Sequence, residues 1–185
     1  MNILNNRKID YRKLYRLFFC ANLFLFIALF TITYMFPQCF SAFSHTPHIC
    51  DVQKAFVPSL LEHWSLSVLP MCIIFILGLT FYVPILSFII SSLNGILLAF
   101  EIYSYFDMYN FFFAATMSFI ALCISWIYLW YTSYVSCSSV RLFISDTPFF
   151  KNISFSFTGK YIIWFVLFSV MVLLMNVAQC IMYRI

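Results

Sequence analysis

Long apolar runs separated by short polar segments dominate the order of residues along this chain. Leu17–Phe36 is an apolar run long enough, as an α-helix, to cross the hydrocarbon core of a bilayer. Later runs of similar length predict four more crossings. The predicted spans are residues 17–36, 66–82, 85–104, 110–135 and 161–183. The pattern therefore predicts an all-α, polytopic transmembrane helical bundle.

The second and third spans share one apolar tract, Leu66–Phe106, which is too long for a single crossing. Pro84 interrupts this tract. Proline lacks the backbone donor that a continuing helix needs, and the residue before it avoids the helical region. We therefore predict two helices joined by a tight turn at Pro84. The alternative is a re-entrant pair that never crosses, because the turn carries no charge to hold it in water.

Polar segments flank the first span on both sides. Residues 1–16 form a basic flank, which is either a plain charged segment or a short helix lying in the membrane interface. Residues 37–65 form a polar loop, in which Phe56–Trp64 is amphipathic enough to lie on the membrane as a helix. We expect the first span to be a retained anchor, because it is long for a signal peptide and no A-x-A-like site follows closely. Residues 17–185 are then one transmembrane domain.

The distribution of basic residues orients the spans. Cytoplasmic loops of membrane proteins carry an excess of Lys and Arg. Five spans with a cytoplasmic N-terminus and an outside C-terminus leave only Lys54 and Arg184 on the outer side. The eight basic residues on the cytoplasmic side are then Arg7, Lys8, Arg12, Lys13, Arg16, Arg141, Lys151 and Lys160. Merging the second and third spans would remove this bias, so the charges independently support two spans.

Composition narrows the class of protein. Hydrophobic residues make up 64% of the chain and charged residues 9%, which is too little charge to cover a soluble domain. The lipid bilayer is therefore the expected surrounding. No basic folded face offers a nucleic-acid site. The sequence has no GxSxG, HExxH or P-loop motif, so we expect neither enzymatic activity nor a cofactor.

The loop 37–65 holds a group of soft ligands, Cys39, His45, His48 and Cys50. Their spacing matches none of the usual zinc patterns, so we do not predict a metal site. A Cys39–Cys50 disulfide is better supported than a metal site, because the outer side of a membrane is oxidising in many cells. Free thiols remain the alternative.

Four polar side chains lie in or at the edge of the predicted spans: Asn94, Glu101, Asn176 and Gln179. Such groups are costly in lipid and usually face the interior of a bundle. They favour hydrogen bonds between helices that fix the bundle. The alternative is a polar path for a substrate or ion.

Small residues recur every fourth position along the third span, at Ser87, Ser91, Gly95 and Ala99. Small residues on one face let another helix approach closely. We call these four residues the small-residue stripe. The stripe predicts a packing surface, either within the chain or towards a partner.

Two segments resemble the stage II sporulation protein M family. Phe75–Phe100 carries a Leu-Gly pair, a proline turn and a glycine-containing apolar helix in the order found in that family. Ser138–Cys180 resembles the last cytoplasmic loop and final span of the family. The matching loop residues are Phe157, Gly159, Lys160 and Tyr161. The five-span layout with a cytoplasmic N-terminus also fits.

The resemblance implies a non-enzymatic scaffold. The family's namesake acts during engulfment as the membrane component that gathers a peptidoglycan-degrading complex. We expect partner membrane or cell-wall-associated proteins, such as peptidoglycan hydrolases, to contact Phe56, Trp64 and the small-residue stripe. The alternative function is a permease or transporter subunit, with Asn94, Glu101, Asn176 and Gln179 lining its path.

Overall fold

The computed structural model describes residues 11–38, 55–77, 82–144 and 155–184. These residues form five α-helices, each long and apolar enough to cross a membrane. The helices are α1 (Tyr11–Met35), α2 (Phe56–Leu77), α3 (Val83–Met108), α4 (Phe111–Ile144) and α5 (Phe155–Met182). The predicted all-α bundle with five spans is therefore confirmed.

The break at Pro84 lies where the sequence predicts it. Tyr82 precedes the first residue of α3, and Pro84 lies in the first turn. The missing N–H of proline costs nothing there, because the first amides of a helix have no partner within it. Both α2 and α3 are long enough to cross a membrane, which supports two spans over a re-entrant pair.

Several predicted boundaries differ from the structure: α4 continues to Ile144 instead of ending near residue 135, and α5 begins at Phe155 instead of near residue 161. α2 begins at Phe56, so Phe56–Trp64 is not a separate helix on the membrane surface, and that prediction is wrong. The apolar face formed by Val68 and Met71 extends back to Trp64 at helical spacing, so the same helix continues. α1 begins at Tyr11, which places the nearest basic residues in its first turns.

Contacts between helix ends show that successive helices alternate in direction. Cys137 Sγ in α4 donates a hydrogen bond to the Tyr11 carbonyl oxygen at 3.7 Å. The Tyr161 hydroxyl in α5 donates to the Phe75 carbonyl oxygen in α2 at 3.2 Å. We call this end of the bundle the basic end. Its described basic residues are Arg12, Lys13, Arg16, Arg141 and Lys160.

The other end of the bundle joins the start of α2 to the end of α5. The Arg184 guanidinium carbon lies 5.3 Å from the centroid of the Phe56 ring. The rings of Tyr109 and Tyr183 lie 6.2 Å apart. We call this the opposite end. The described acidic residues lie in the half of the bundle towards it: Glu62, Glu101 and Asp107.

The long helix α4 occupies the centre and packs against each of the other four helices. α1 and α3 cover one side of it, whereas α5 and α2 cover the other. Within the described residues, no Cα atom of α3 lies within 8 Å of a Cα atom of α5. Apolar side chains such as Phe24, Ile76 and Leu174 point outward, as expected for surfaces that face lipid.

Candidate functional site

A first group of buried polar side chains connects α1, α3 and α4. Asn22 is fully buried and donates from Nδ2 to Ser133 Oγ at 3.2 Å. Its Oδ1 accepts a hydrogen bond from Ser91 Oγ at 3.0 Å. Nearer the basic end, Ser136 Oγ lies 2.7 Å from Ser87 Oγ. We call these five residues the serine layer, and they fix three helices relative to one another.

The small-residue stripe of α3 faces the interior of the bundle. Ser87, Ser91, Gly95 and Ala99 are all buried. A Cβ atom built on Gly95 would lie 2.5 Å from the Phe26 carbonyl oxygen of α1. Only glycine permits so close an approach of the two backbones. The stripe therefore packs against α1 and α4 within the chain, which decides between the two alternatives left open by the sequence.

A second polar group lies nearer the opposite end. Tyr105 OH donates to Glu101 Oε1, both in α3. Gln179 Nε2 of α5 lies 3.2 Å from Glu101 Oε1 and 2.8 Å from Tyr105 OH. We call Glu101, Tyr105 and Gln179 the glutamate layer. These long side chains bridge α3 and α5, whose backbones do not touch.

Asn176 lies one turn before Gln179, on the same face of α5. The side chain is 0% exposed, and neither Oδ1 nor Nδ2 has a hydrogen-bond partner. The buried Nδ2 of Asn94 is also unsatisfied, two turns before Glu101 on α3. A buried polar group without a partner costs about 1–3 kcal/mol. Of the four polar residues predicted in the spans, Glu101 and Gln179 are hydrogen-bonded to each other, whereas Asn94 and Asn176 have unsatisfied amide groups.

Within the chain, the two aromatic residues expected to contact partners lie against α5 and the residues that follow it. Trp64 is half-buried and donates from Nε1 to the Ser169 carbonyl oxygen at 3.3 Å. Phe56 lies beneath Arg184, as described above. Both residues therefore hold α2 against α5.

Two cysteines and two histidines of the 37–65 loop lie outside the described residues. This applies to Cys39, His45, His48 and Cys50, so their pairing stays a prediction. The described cysteines are free thiols at Cys20, Cys72, Cys123, Cys137 and Cys180. Within the described ranges, no group of three or more His, Cys, Asp or Glu residues is arranged to hold a metal ion.

Asn22 was not among the predicted residues, although its side chain makes hydrogen bonds to Ser133 and Ser91. Its signal was available, because an Asn inside an apolar run is costly unless it faces another helix. Tyr105 was missed for a different reason. Tyrosine is common near membrane interfaces, so its type alone does not indicate a buried hydroxyl.

Comparisons with known proteins do not test the resemblance drawn from the sequence. The similarity to the sporulation family, drawn from two apolar segments, therefore stays a prediction. No protein-family profile, curated protein or solved structure matches this chain.

Proposed function

We propose that this multi-pass membrane protein is a non-enzymatic scaffold that gathers partner membrane or cell-wall-remodelling proteins. The observation that carries the proposal is the serine layer. Its hydrogen bonds, together with the close approach at Gly95, hold α1, α3 and α4 in one arrangement. A bundle fixed in this way presents its outer faces at constant positions, as a platform for assembly requires.

The partner surface on this scaffold is the seam between α1 and α4. The Phe19 ring stands edge-on to the rings of Trp126 and Trp130, at centroid distances of 5.5 and 6.2 Å. The two Trp side chains are nearly half exposed, at 48% and 47%. Large rigid aromatic side chains supply much of the energy of protein interfaces. We call Phe19, Trp126 and Trp130 the aromatic seam.

Photo-crosslinking in intact cells tests this surface. A photoreactive amino acid at Trp126 or Trp130 is expected to capture the same specific partners. The matched control places the probe at Leu174, which is exposed on α5 at the other side of the bundle. Equal capture from Leu174, or no capture from either Trp position, would contradict the scaffold proposal.

The charge of the two ends supports a cytoplasmic N-terminus. Of the six described Lys and Arg residues, five lie at the basic end and only Arg184 lies at the opposite end. The positive-inside rule then assigns the basic end to the cytoplasm. The C-terminus lies outside in this orientation.

A permease or transporter subunit is the second candidate function. The unsatisfied amides of Asn94 and Asn176, beside the separated backbones of α3 and α5, favour it. Glu101→Gln distinguishes the two candidates. A permease is expected to lose solute flux in proteoliposomes, whereas a scaffold keeps the partners that the photo-crosslinker captures.

A further inference from the structure

Glu101 is an ionisable side chain inside an apolar helix, and its described hydrogen-bond partners are neutral. They are the hydroxyl of Tyr105 and the amide of Gln179. Acidic residues within membrane spans usually pair with a positive charge or line a wet cavity. No basic side chain among the described residues makes a salt bridge or hydrogen bond to Glu101. A positive charge from outside the chain would complete this site.

The glutamate layer orients the carboxyl group. Tyr105 and Gln179 both donate to Oε1, so the second oxygen, Oε2, makes no hydrogen bond to the described residues. Two donors on one oxygen hold a carboxylate in place without neutralising its charge. The other oxygen stays available to a ligand.

Asn176 supplies a second, independent indication of a ligand. Its side chain is completely buried, with both amide atoms unsatisfied, one turn from Gln179 on the same face of α5. Side chains three positions apart on a helix have Cβ atoms about 5–6 Å apart. The Oδ1 atom of Asn176 is thus an acceptor beside the glutamate layer, where the backbones of α3 and α5 stay apart.

We propose that Glu101 and Asn176 bind a small monovalent cation, an alkali-metal or ammonium ion, between α3 and α5. Carboxylate and amide oxygens are the ligands that hard cations prefer. A single carboxylate balances one positive charge, which favours a monovalent over a divalent ion. The Nδ2 donor of Asn176 bonds a water molecule that accompanies the cation. This site does not depend on whether the protein gathers partners or moves solutes.

Thermal unfolding of the purified full chain in detergent tests the site. Unfolding is measured in sodium, potassium, ammonium or N-methyl-D-glucamine chloride at constant ionic strength. A ligand that binds only the folded state raises the Tm with its concentration. We expect a saturable rise in Tm with one or more of the small cations and none with N-methyl-D-glucamine. Comparison of the alkali-metal salts with ammonium identifies the ion.

Three variants assign that rise to the site. Glu101→Gln keeps the side-chain shape and is expected to abolish the cation dependence. Asn176→Asp adds a second carboxylate and is expected to lower the half-saturating concentration at least about tenfold, equivalent to 1.4 kcal/mol. The matched control is Glu62→Gln, which removes an exposed carboxylate of α2 and is expected to keep the response.

Two results would overturn the proposal. One is a wild-type Tm that does not depend on which cation is present. The other is a dependence that Glu101→Gln retains, because the cation would then bind elsewhere. If Glu101→Gln does not fold, the half-saturating cation concentration of Asn176→Asp is compared with that of Glu62→Gln. Equal concentrations for the two variants would reject the site.

Discussion

At the scale of single residues, Gly95 has little freedom to change, because the α1 backbone lies directly against it. Gly95→Ala would place a Cβ atom against the Phe26 backbone, which cannot move without displacing α1. We expect a loss of about 1–3 kcal/mol in the free energy of unfolding, the usual cost of overpacking a core. Denaturant titration of the purified protein in mixed micelles measures it.

Gly159 provides the matched control for that substitution. A Cβ atom built on Gly159, within α5, meets nothing within 4 Å. Alanine favours a helix over glycine by up to about 1 kcal/mol, so Gly159→Ala is expected to be neutral or stabilising. Equal destabilisation by both substitutions would mean that helix propensity, and not the approach of α1, governs Gly95.

The hydrogen bond between Asn22 and Ser91 predicts that substitutions of these two residues are energetically coupled. Asn22→Ala leaves Ser91 without its acceptor, and we expect a cost of about 1–3 kcal/mol. Ser91→Ala combined with Asn22→Ala is expected to cost less than the sum of the single changes, by about 0.5–3 kcal/mol. Unfolding free energies of the four proteins give the coupling.

The control cycle pairs Asn22→Ala with Ser104→Ala. The Ser104 hydroxyl bonds only the Phe100 carbonyl oxygen of its own helix, so these two changes are expected to be additive. Additivity in both cycles would show that the Asn22–Ser91 hydrogen bond contributes nothing to stability.

At the scale of helices, α2 packs most extensively against α5, although α3 follows it in the chain. The rings of Phe75 and Tyr161 stack with centroids 5.0 Å apart. In a background without native cysteines, Phe75→Cys with Tyr161→Cys is therefore expected to form an intramolecular crosslink with a short thiol reagent. Faster migration on a denaturing gel, with protease mapping, detects it.

The control pair joins α2 to a helix that it does not touch. Phe75→Cys with Phe18→Cys is expected to give no crosslink, because Phe18 packs against Phe88 on α3 and α1 makes no contact with α2 among the described residues. A crosslink of similar yield in both pairs would contradict the arrangement of helices around α4.

The prolines of α2 and α3 differ in how well they predict a helix boundary. Pro84 ends one apolar run and begins another, so the boundary at α3 is predictable. Pro70 lies inside α2 without ending it, because neighbouring helices and local adjustments can compensate for a lost hydrogen bond in a membrane. The length of an apolar run predicts a span, but the ends of α2 and α4 depend on packing against other helices.

The candidate site was predictable only in part. Residue type alone identified Glu101, Asn176 and Gln179 as side chains that face other helices. Which of them meet depends on the relative register of α3 and α5, two helices that share no close backbone contact. The pattern of residues within one helix does not indicate how that helix is aligned with another. The same limit explains why the stripe at Gly95 could not be assigned to α1 beforehand.

At the scale of the whole molecule, the sorting of charge between the two ends predicts its orientation. Lys160 is exposed at the basic end, and Gln38 is exposed beyond α1 at the opposite end. In a cysteine-free background, we expect a membrane-impermeant maleimide to label Gln38→Cys in intact cells. Lys160→Cys is expected to react only after the membrane is permeabilised.

The two cysteine variants serve as controls for each other in the labelling experiment. Reaction of both variants after permeabilisation shows that both thiols are accessible. Labelling of Lys160→Cys but not Gln38→Cys in intact cells would reverse the proposed orientation.

The central position of α4 has a consequence for biogenesis. Helices leave the ribosome in order, so α1 and α3 can form their close contact, and α4 can complete it, before α5 is made. α2 can form its most extensive packing contact only after α5 has been synthesised. A chain truncated after Ile144 and released from the ribosome is therefore expected to hold α1, α3 and α4 together while α2 is still surrounded mainly by lipid. The arrival of α5 is thus the step that brings α2 into the assembled protein.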